Sequence, residues 1–427
     1  MEAYYNREIE CLPRKQLAEL QQNAFSKLYD YMMHRNPSYR KLLESSGIAI
    51  GKPLRTEEIP LLPIIDKKDL AAAYPLGMQA APASEIIRIH GTSGTSGKMI
   101  LVPCTAADIA AYNEGLCRAL IMQGCNEQSV IQNTFSYSMF IGGIGIQSAA
   151  ERIGAAVIPT SVGNTERQIS LMRDLGTTCL AATPSYAMHI FKKMRSEGIS
   201  PTDSALRTCF IAGELCTDEK LNNIESLGGV KAYNVYGNAE MTNVFASCSY
   251  NTGMHIPEDM IFAEIIGDKG EQLQAGSVGE LVITTLTKTG MPLIRYNTHD
   301  LAIMYDDECP CGRTGKRVRI LGRSDDMIIH KGCKFFPSDI DRLVSTFDFL
   351  SGVYRISLPT ADNMTLTVTA EAKDGFSIPH TAAKERFREA SRKMLGVALD
   401  LELVCRGVLD TADGNKMKLI KRTAKVL

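Results

Sequence analysis

Residues 89–101 read I-H-G-T-S-G-T-S-G-K-M-I-L. Three glycines, four hydroxyls and one lysine crowd into this stretch, the composition of a phosphate-binding loop. A kinase-type P-loop, G-x-x-x-x-G-K-[S/T], would put its first glycine at position 92, which is Thr92. It would also put a magnesium-binding hydroxyl after the lysine, where Met99 stands. A P-loop opens a helix, yet Met99-Ile100-Leu101-Val102-Pro103 has the composition of a strand. The Walker reading fails on spacing, metal ligand and context. What remains is a hydroxyl-rich turn between two strands, whose successive amides could wrap an anion. The plain alternative is a surface turn.

Working outward, short apolar strands alternate with helices from 86 to about 240. Ile86–Ile89 and Ile100–Val102 flank the loop, and a helix is expected over Ala106–Gln123. Strands are expected at Val130–Thr134, Ala156–Pro159, Cys179–Ala182, Thr208–Ala212 and Ala232–Tyr236, with helices near 143–153, 164–175, 184–196 and 217–227. This alternation predicts an α/β fold with a mostly parallel sheet flanked by helices. Before it, residues 12–46 read as helical, and Asp66–Ala73 as a short helix capped by Asp66. From 260 to 330 short strands with turns (Ile261–Ile266, Gly279–Thr284, Ala302–Tyr305, Arg317–Leu321) suit a β-rich antiparallel subdomain. Residues 1–322 are assigned to this large domain. Residues 323–427 are assigned to a small α+β domain, with Phe349–Ser357, Met364–Ala370 and Asp400–Val404 as strands and His380–Leu395 as a helix.

Composition removes several function classes. The chain has 427 residues and a net charge of −1, so no global field favours nucleic acid. No apolar run is long enough for a membrane span. The start M-E-A-Y-Y-N-R-E-I-E lacks the pattern of a signal peptide. With twelve cysteines and no export signal, a reducing cytoplasm is the expected compartment.

Three further polar clusters lie far from the loop. In A-Y-N-V-Y-G-N-A-E (232–240) a strand ends at Tyr236-Gly237, where sheet ligands tend to sit. Tyr236 could stack on a base and Glu240 could hold magnesium, although a Tyr-Gly pair is more often just a turn. P-L-I-R-Y-N-T-H-D-L from Pro292 offers Asp300 to ribose hydroxyls, and I-L-G-R-S-D-D from Ile320 offers Arg323 beside two aspartates. The plain reading of Arg323 is a surface ion pair of little energetic value. D-G-N-K-M-K near the C-terminus presents Lys416 and Lys418, which by themselves read as solvated lysines. A fourth set, Cys248 and His255 with the turn Cys309-Pro-Cys311-Gly312, supplies three thiols and one imidazole. Cys₃His is a closed tetrahedral zinc set. Four unrelated residues in a cysteine-rich chain is the alternative.

Together and in this order, the clusters resemble the adenylate-forming superfamily of acyl-CoA synthetases, adenylation domains and luciferases, and within it the phenylacetate–CoA ligase family. The match spans nearly the whole chain. It includes Arg14-x-x-Leu17-x-x-Leu20-Gln21, Tyr74-Pro75-Leu76-Gly77-Met78, Arg88-Ile89-His90, Phe135-x-Tyr137-x-Met139-Phe140-Ile141-Gly142-Gly143 and Ala150-Glu151-Arg152-Ile153-Gly154. It continues through Gly213-Glu214, Gly279-Glu280-Leu281, Gly322-Arg323-Ser324-Asp325-Asp326-Met327 and Phe336-Pro337-Ser338-Asp339-Ile340.

The resemblance implies ATP-dependent activation of a carboxylic acid to an acyl-adenylate, then transfer to CoA. Thr92, Ser93, Gly94, Thr95, Ser96, Gly97 and Lys98 would bind the ATP phosphates. Gly213, Glu214, Tyr236 and Gly237 would line the adenine site, and Asp300 the ribose. Glu240 would bind Mg²⁺, Arg323 the ribose or phosphate, and Lys416 would be the adenylation lysine. Asp325 would be the hinge of the small domain. Phe135, Tyr137, Phe140 and Gly142 fall where the family lines its aryl pocket, which points to a flat apolar acid; core packing is the alternative for each. Some family members carry a C-x-C-G-R segment with an upstream Cys…His pair, which strengthens a structural Zn²⁺ at Cys248, His255, Cys309 and Cys311. Homodimers are frequent in the family.

Four departures stand out: Met99 for the usual proline, Ala239 for a Ser or Thr, His299 for an arginine or glycine, and Asn415, which leaves Lys416 and Lys418 competing for one role. None removes an indispensable charge. The thiol acceptor could be CoA or a carrier protein. Relatives that adenylylate a deazaflavin coenzyme, and an inactive nucleotide- or zinc-binding scaffold, are the other readings.

Overall fold

The computed structural model describes residues 3–47, 54–92, 99–326, 328–358, 366–373, 375, 379–409 and 420–421. The expected phosphate-binding residues Ser93, Gly94, Thr95, Ser96, Gly97 and Lys98, and the lysines Lys416 and Lys418, lie outside them. The chain divides into two compact units, Met1–Ile320 and Leu321–Leu427.

The first unit opens with helices α1 (Arg7–Glu10), α2 (Arg14–Arg35) and α3 (Pro37–Ser45). The continuous helix expected over 12–46 is therefore corrected to two. Pro37 disfavours helical backbone at Asn36, and the Asn36 side chain accepts the Tyr39 N–H at 2.9 Å, starting a new helix. Along α2 the buried residues Leu17, Gln21, Phe25, Leu28 and Met32 recur every three or four positions. Helix α4 (Lys67–Ala72) begins with a capping box at Asp66 and Asp69.

Strands β1 (Ile86–Gly91) and β2 (Leu101–Thr105) pair antiparallel on either side of the glycine loop. Helix α5 (Ala106–Met122) follows β2 directly, opened by a Thr105/Asp108 capping box. Then come β3 (Val130–Asn133), α6 (Ile141–Arg152), β4 (Ala156–Ile158), α7 (Thr165–Asp174), β5 (Cys179–Ala182), α8 (Pro184–Ser196), β6 (Thr208–Ala212), α9 (Asp218–Gly228) and β7 (Lys231–Asn238). The strand pairings within this run are parallel. The strands β8 (Asn243–Ser247), β9 (Met254–His255), β10 (Ile261–Ile266), β11 (Val278–Thr285), β12 (Tyr296–Tyr305) and β13 (Arg317–Arg323) complete the series.

The parallel and antiparallel patterns, distinct in sequence, join in one sheet of order β10-β11-β12-β13-β9-β8-β7-β6-β5-β3-β4. The change of direction falls at β7, which is parallel to β6 and antiparallel to β8. Successive residues of the central strands serve two cores, as a pleat of period two requires. Ala181 and Phe210 face the cluster that holds α5 and α6. Leu180, Ala182, Cys209 and Ile211 face the cluster of α7, α8 and α9. The carboxyl ends of β3, β5, β6 and β7 therefore share one edge, where open α/β sheets bind ligands.

The second unit holds a hairpin of β14 (Ile328–His330) and β15 (Cys333–Phe335), then α10 (Pro337–Ser345), β16 (Leu350–Ser357), β17 (Thr367–Ala372), α11 (His380–Leu395), β18 (Asp400–Val404) and β19 (Ile420–Lys421). Its sheet runs β18-β17-β16-β19. Phe347, Phe349, Tyr354 and Phe387 are part of its own core. Among the described residues no helix is long and apolar enough to cross a membrane.

Candidate active site and metal centre

The turns after β6 and β7 bring expected site residues to one sheet edge. Gly213 follows β6 with a φ of +87°, a left-handed backbone that favours glycine. The Glu214 carboxylate that it presents accepts the Ser185 hydroxyl at 2.7 Å and the Ser185 N–H at 3.2 Å. Glu214 is thereby fixed at the start of α8, whose N-terminal amides favour an anion.

Tyr236 lies near the end of β7. Its hydroxyl donates to Asp300 Oδ2 at 2.5 Å, and its ring tilts against Phe245 at 5.5 Å. The tyrosine expected to stack on a base thus also holds, 64 positions away in sequence, the aspartate expected to bind ribose. At Gly237 a Cβ would meet the Asn243 carbonyl oxygen at 2.7 Å, so the β7–β8 hairpin needs glycine there. Asp300 is buried on β12. Its neighbour His299 has a φ of +58°, which accounts for glycine being an alternative at this position. The imidazole lies between Asp66 (3.4 Å) and Glu280 (3.3 Å).

Glu240 follows in the turn between β7 and β8 and is buried. Among the described residues its carboxylate receives a single, long hydrogen bond, from the Tyr296 hydroxyl at 3.5 Å. A carboxylate with about four acceptor positions keeps most of them free, so the group fits a magnesium ligand. Sequence reasoning missed Lys288. It is buried, and its ammonium donates to the main-chain carbonyl of Glu240 at 2.7 Å. Burial pushes its pKa down, against the opposing pull of Cys104, Asp108 and Glu240. In the run L-T-K-T-G nothing marks this lysine as different from a solvated one.

The expected acyl residues gather after β3. Asn133 donates to the Tyr137 hydroxyl at 2.9 Å and to the Gly143 carbonyl at 2.8 Å, folding the 133–143 segment back on itself. The half-buried Phe135 ring lies 3.5 Å from a Cβ built on Gly213 and 4.0 Å from one built on Gly142, so it bridges the turn after β6 and the 133–143 segment. Phe140 is 41% exposed. The Met139 carbonyl accepts both the Gly91 N–H at 3.0 Å and His90 Nδ1–H at 3.1 Å. Among the described residues, His90 Nε2 and the hydroxyl of Thr92 are buried without a hydrogen-bond partner.

In the second unit, Arg323 and Asp325, expected as catalytic residue and hinge, form a two-pronged ion pair of 2.8 and 2.9 Å. Arg295, from the stretch that supplies Asp300, is structural. It binds Glu264 at 3.2 Å and the carbonyls of Pro60 and Leu62 at 2.6 and 2.7 Å.

The donor atoms of Cys248, His255, Cys309 and Cys311 lie within 4.8 Å of one another, and all four residues are buried. Cys248 Sγ and Cys309 Sγ are 3.7 Å apart, and Cys311 Sγ is 3.3 Å from His255 Nε2. Two thiolates on a tetrahedral zinc lie about 3.8 Å apart for a bond of about 2.3 Å, whereas a disulfide needs about 2.05 Å. All twelve cysteines are free thiols. The hydrogen bond from Cys248 and contact with His255 pull the Cys311 thiol down to about 2, while the same bond pushes Cys248 up. The N-terminal segment braces this knot. Tyr4 donates to the Cys311 carbonyl at 2.6 Å, and Arg313 binds Glu10 at 2.6 Å.

Residues expected to bind nucleotide, gathered at the carboxyl edge of a parallel sheet, and a small α+β unit after it match one class. The AMP-binding enzyme family model matches residues 44–287, and that of the AMP-binding enzyme C-terminal domain matches residues 332–422. A phenylacetate–coenzyme A ligase of Thermus thermophilus is 33% identical, with 97% of this chain and 98% of the relative covered. That of Escherichia coli K12 is 31% identical over 96% of each. The crystal structure of a 2-hydroxyisobutyryl-CoA ligase in complex with an acyl-AMP superposes with a TM-score of 0.91 at 25% identity, covering 98% of this chain and 92% of that one.

The chain belongs to the phenylacetate–coenzyme A ligase family of AMP-binding enzymes. It is an AMP-forming acid–CoA ligase, which activates a carboxylic acid with ATP and passes the acyl group to CoA.

Proposed function

We propose that the acid is aromatic and that Phe135, Tyr137, Phe140 and Gly142 receive its ring. The observation that carries this is the placement of Phe135, which spans the interval between Gly142 of the acyl segment and Gly213 of the adenine turn. A planar ring seated there would hold its carboxylate beside the nucleotide. The test is pyrophosphate exchange into ATP against a panel of aromatic and aliphatic acids, with and without CoA. Exchange driven only by aliphatic acids would sink the aromatic reading.

In the first half-reaction a carboxylate oxygen attacks the α-phosphorus and pyrophosphate leaves. Positioning and charge neutralisation supply the rate. Asp300, held by Tyr236, accepts the ribose hydroxyls; Gly213, Glu214 and Gly237 shape the adenine site. Thr92 and the residues up to Lys98 bind the β- and γ-phosphates, and Arg323 the ribose or phosphate. Glu240 would hold Mg²⁺, which supplies charge neutralisation at the phosphates. Lys416 neutralises charge on the pentacoordinate transition state. In the second half-reaction the CoA thiol attacks the acyl carbonyl and AMP leaves. Asp325 is the hinge that lets the small unit serve both steps.

Cys248, His255, Cys309 and Cys311 would hold a structural Zn²⁺. The 3.7 Å sulfur separation and the closed, buried donor set support this reading. With four protein ligands such a site keeps no open position, so its role is to join the segments that carry the ligands. Metal analysis of the purified protein tests it, with about one zinc per chain expected.

A further inference from the structure

Lys288 is a buried ammonium that the reaction sequence above does not use. It stands between β11 and β12, in a turn bonded on two sides. On one side its Nζ donates to the Glu240 carbonyl at 2.7 Å. On the other, the Thr289 N–H and hydroxyl donate to Asp108 Oδ1 at 2.6 and 3.1 Å, and the Gly290 N–H donates to Asp108 Oδ2 at 2.9 Å. Asp108 closes the capping box with Thr105 at the end of β2, the strand that leaves the glycine loop. The hydroxyls of Thr105 and Thr289 are 2.8 Å apart. A Cβ at Gly290 would meet the Pro103 carbonyl oxygen at 2.5 Å, so this turn and β2 are in backbone contact. Residues 288–290 thus brace the strand leaving the phosphate loop against the turn that carries Glu240.

A buried ammonium is expensive. We infer that Lys288, with Tyr296, is a positioning residue of the nucleotide-metal corner: Lys288 fixes the Glu240 main chain, Tyr296 steers its carboxylate, and Glu240 is thereby presented to the divalent cation that accompanies ATP. This rests on the metal role proposed for Glu240.

The test titrates Mn²⁺ into the full-length enzyme held with a non-hydrolysable ATP analogue. Free Mn²⁺ is read by electron paramagnetic resonance, and the Mg²⁺ dependence of pyrophosphate exchange is followed in parallel. Lys288→Met weakens Mn²⁺ binding and raises the KM for Mg²⁺ by about 10-fold or more, the usual cost of losing a group that orients a metal ligand. The KM for the acid does not move, and Lys288→Arg restores metal binding. Wild-type Mn²⁺ binding by Lys288→Met overturns the inference. Glu240→Gln separates the two levels: if it too binds Mn²⁺ normally, the metal role of Glu240 falls. If it weakens binding while Lys288→Met does not, only the role of Lys288 falls. Should Lys288→Met fail to fold, Tyr296→Phe is read instead, with about 3-fold weaker Mn²⁺ binding expected and unchanged binding overturning the inference.

Discussion

Strand β8 is five residues long and has a different chemistry at each end. Before it lies Glu240, in the turn from β7; directly after it comes Cys248 of the thiol cluster. At about 3.3 Å per residue the two ends are roughly 17 Å apart. At the Glu240 end, Lys288 and Tyr296 donate to Glu240, whose carboxylate keeps acceptor capacity. The Cys248 end is a closed set of soft donors with no position left over. If Glu240 takes Mg²⁺ and Cys248 zinc, as proposed above, one strand carries a site for turnover and a site for permanence, the first with spare valence and the second with none.

The largest expected effect tests whether chemistry is confined to the nucleotide end. Lys416→Ala should cut pyrophosphate exchange by about 10²–10³-fold while CoA transfer from preformed acyl-adenylate stays within a few-fold. Equal loss in both assays would place the lysine in both half-reactions. Next, Cys309→Ser should remove the metal and lower the melting temperature, by roughly 2–4 °C for each kcal/mol lost, with kcat of the surviving folded enzyme little changed. A kcat that falls in step with metal content would break the separation between the two ends. Tyr236→Phe removes the donor to Asp300 and should raise the KM for ATP about 10-fold, the worth of a hydrogen bond to a charged acceptor. An effect on the KM for the acid alone would move Tyr236 out of the nucleotide site.

The smallest effect concerns His90. Burial, with Arg88 and Lys288 nearby, holds its pKa below the ordinary 6.5, opposed by its bond to Met139. The folded state then binds fewer protons than the unfolded one just below pH 6.5. The contribution is present above 6.5 and is lost as the pH falls toward the folded value. His90→Asn should flatten this part of the melting-temperature profile, measured by calorimetry from pH 7.5 to 5.5; an unchanged slope would assign it to other groups.

Much of the fold could be read from residue patterns. Cys179–Ala182 and Thr208–Ala212 are strands at the expected limits because each is a short apolar run bounded by turn residues. The union of two strand patterns into one sheet could not be read. It depends on β9, only two residues long, bridging β8 and β13. Helix α10 was missed because Pro337, compatible with a first helical turn, also suits a loop. The thiol cluster was legible from C-x-C-G spacing. The polar clusters at Tyr236, Glu240 and Asp300 could be picked out one at a time, but only the resemblance joined them into one expected site. Lys288 was invisible because burial, not identity, sets it apart from other lysines.

One carbonyl has a further consequence for redesign. Met139 O receives donors from both Gly91 and His90, at the threshold of the glycine loop. The segment proposed to meet the acid and the strand that enters the loop therefore share an acceptor that every amino acid provides. This link constrains the backbone at position 139 rather than its side chain. Grafting residues 135–142 from a relative with another substrate preference should succeed only when the transplanted backbone returns a carbonyl to that point. The register of the graft, rather than its side chains, decides whether the nucleotide loop survives the exchange.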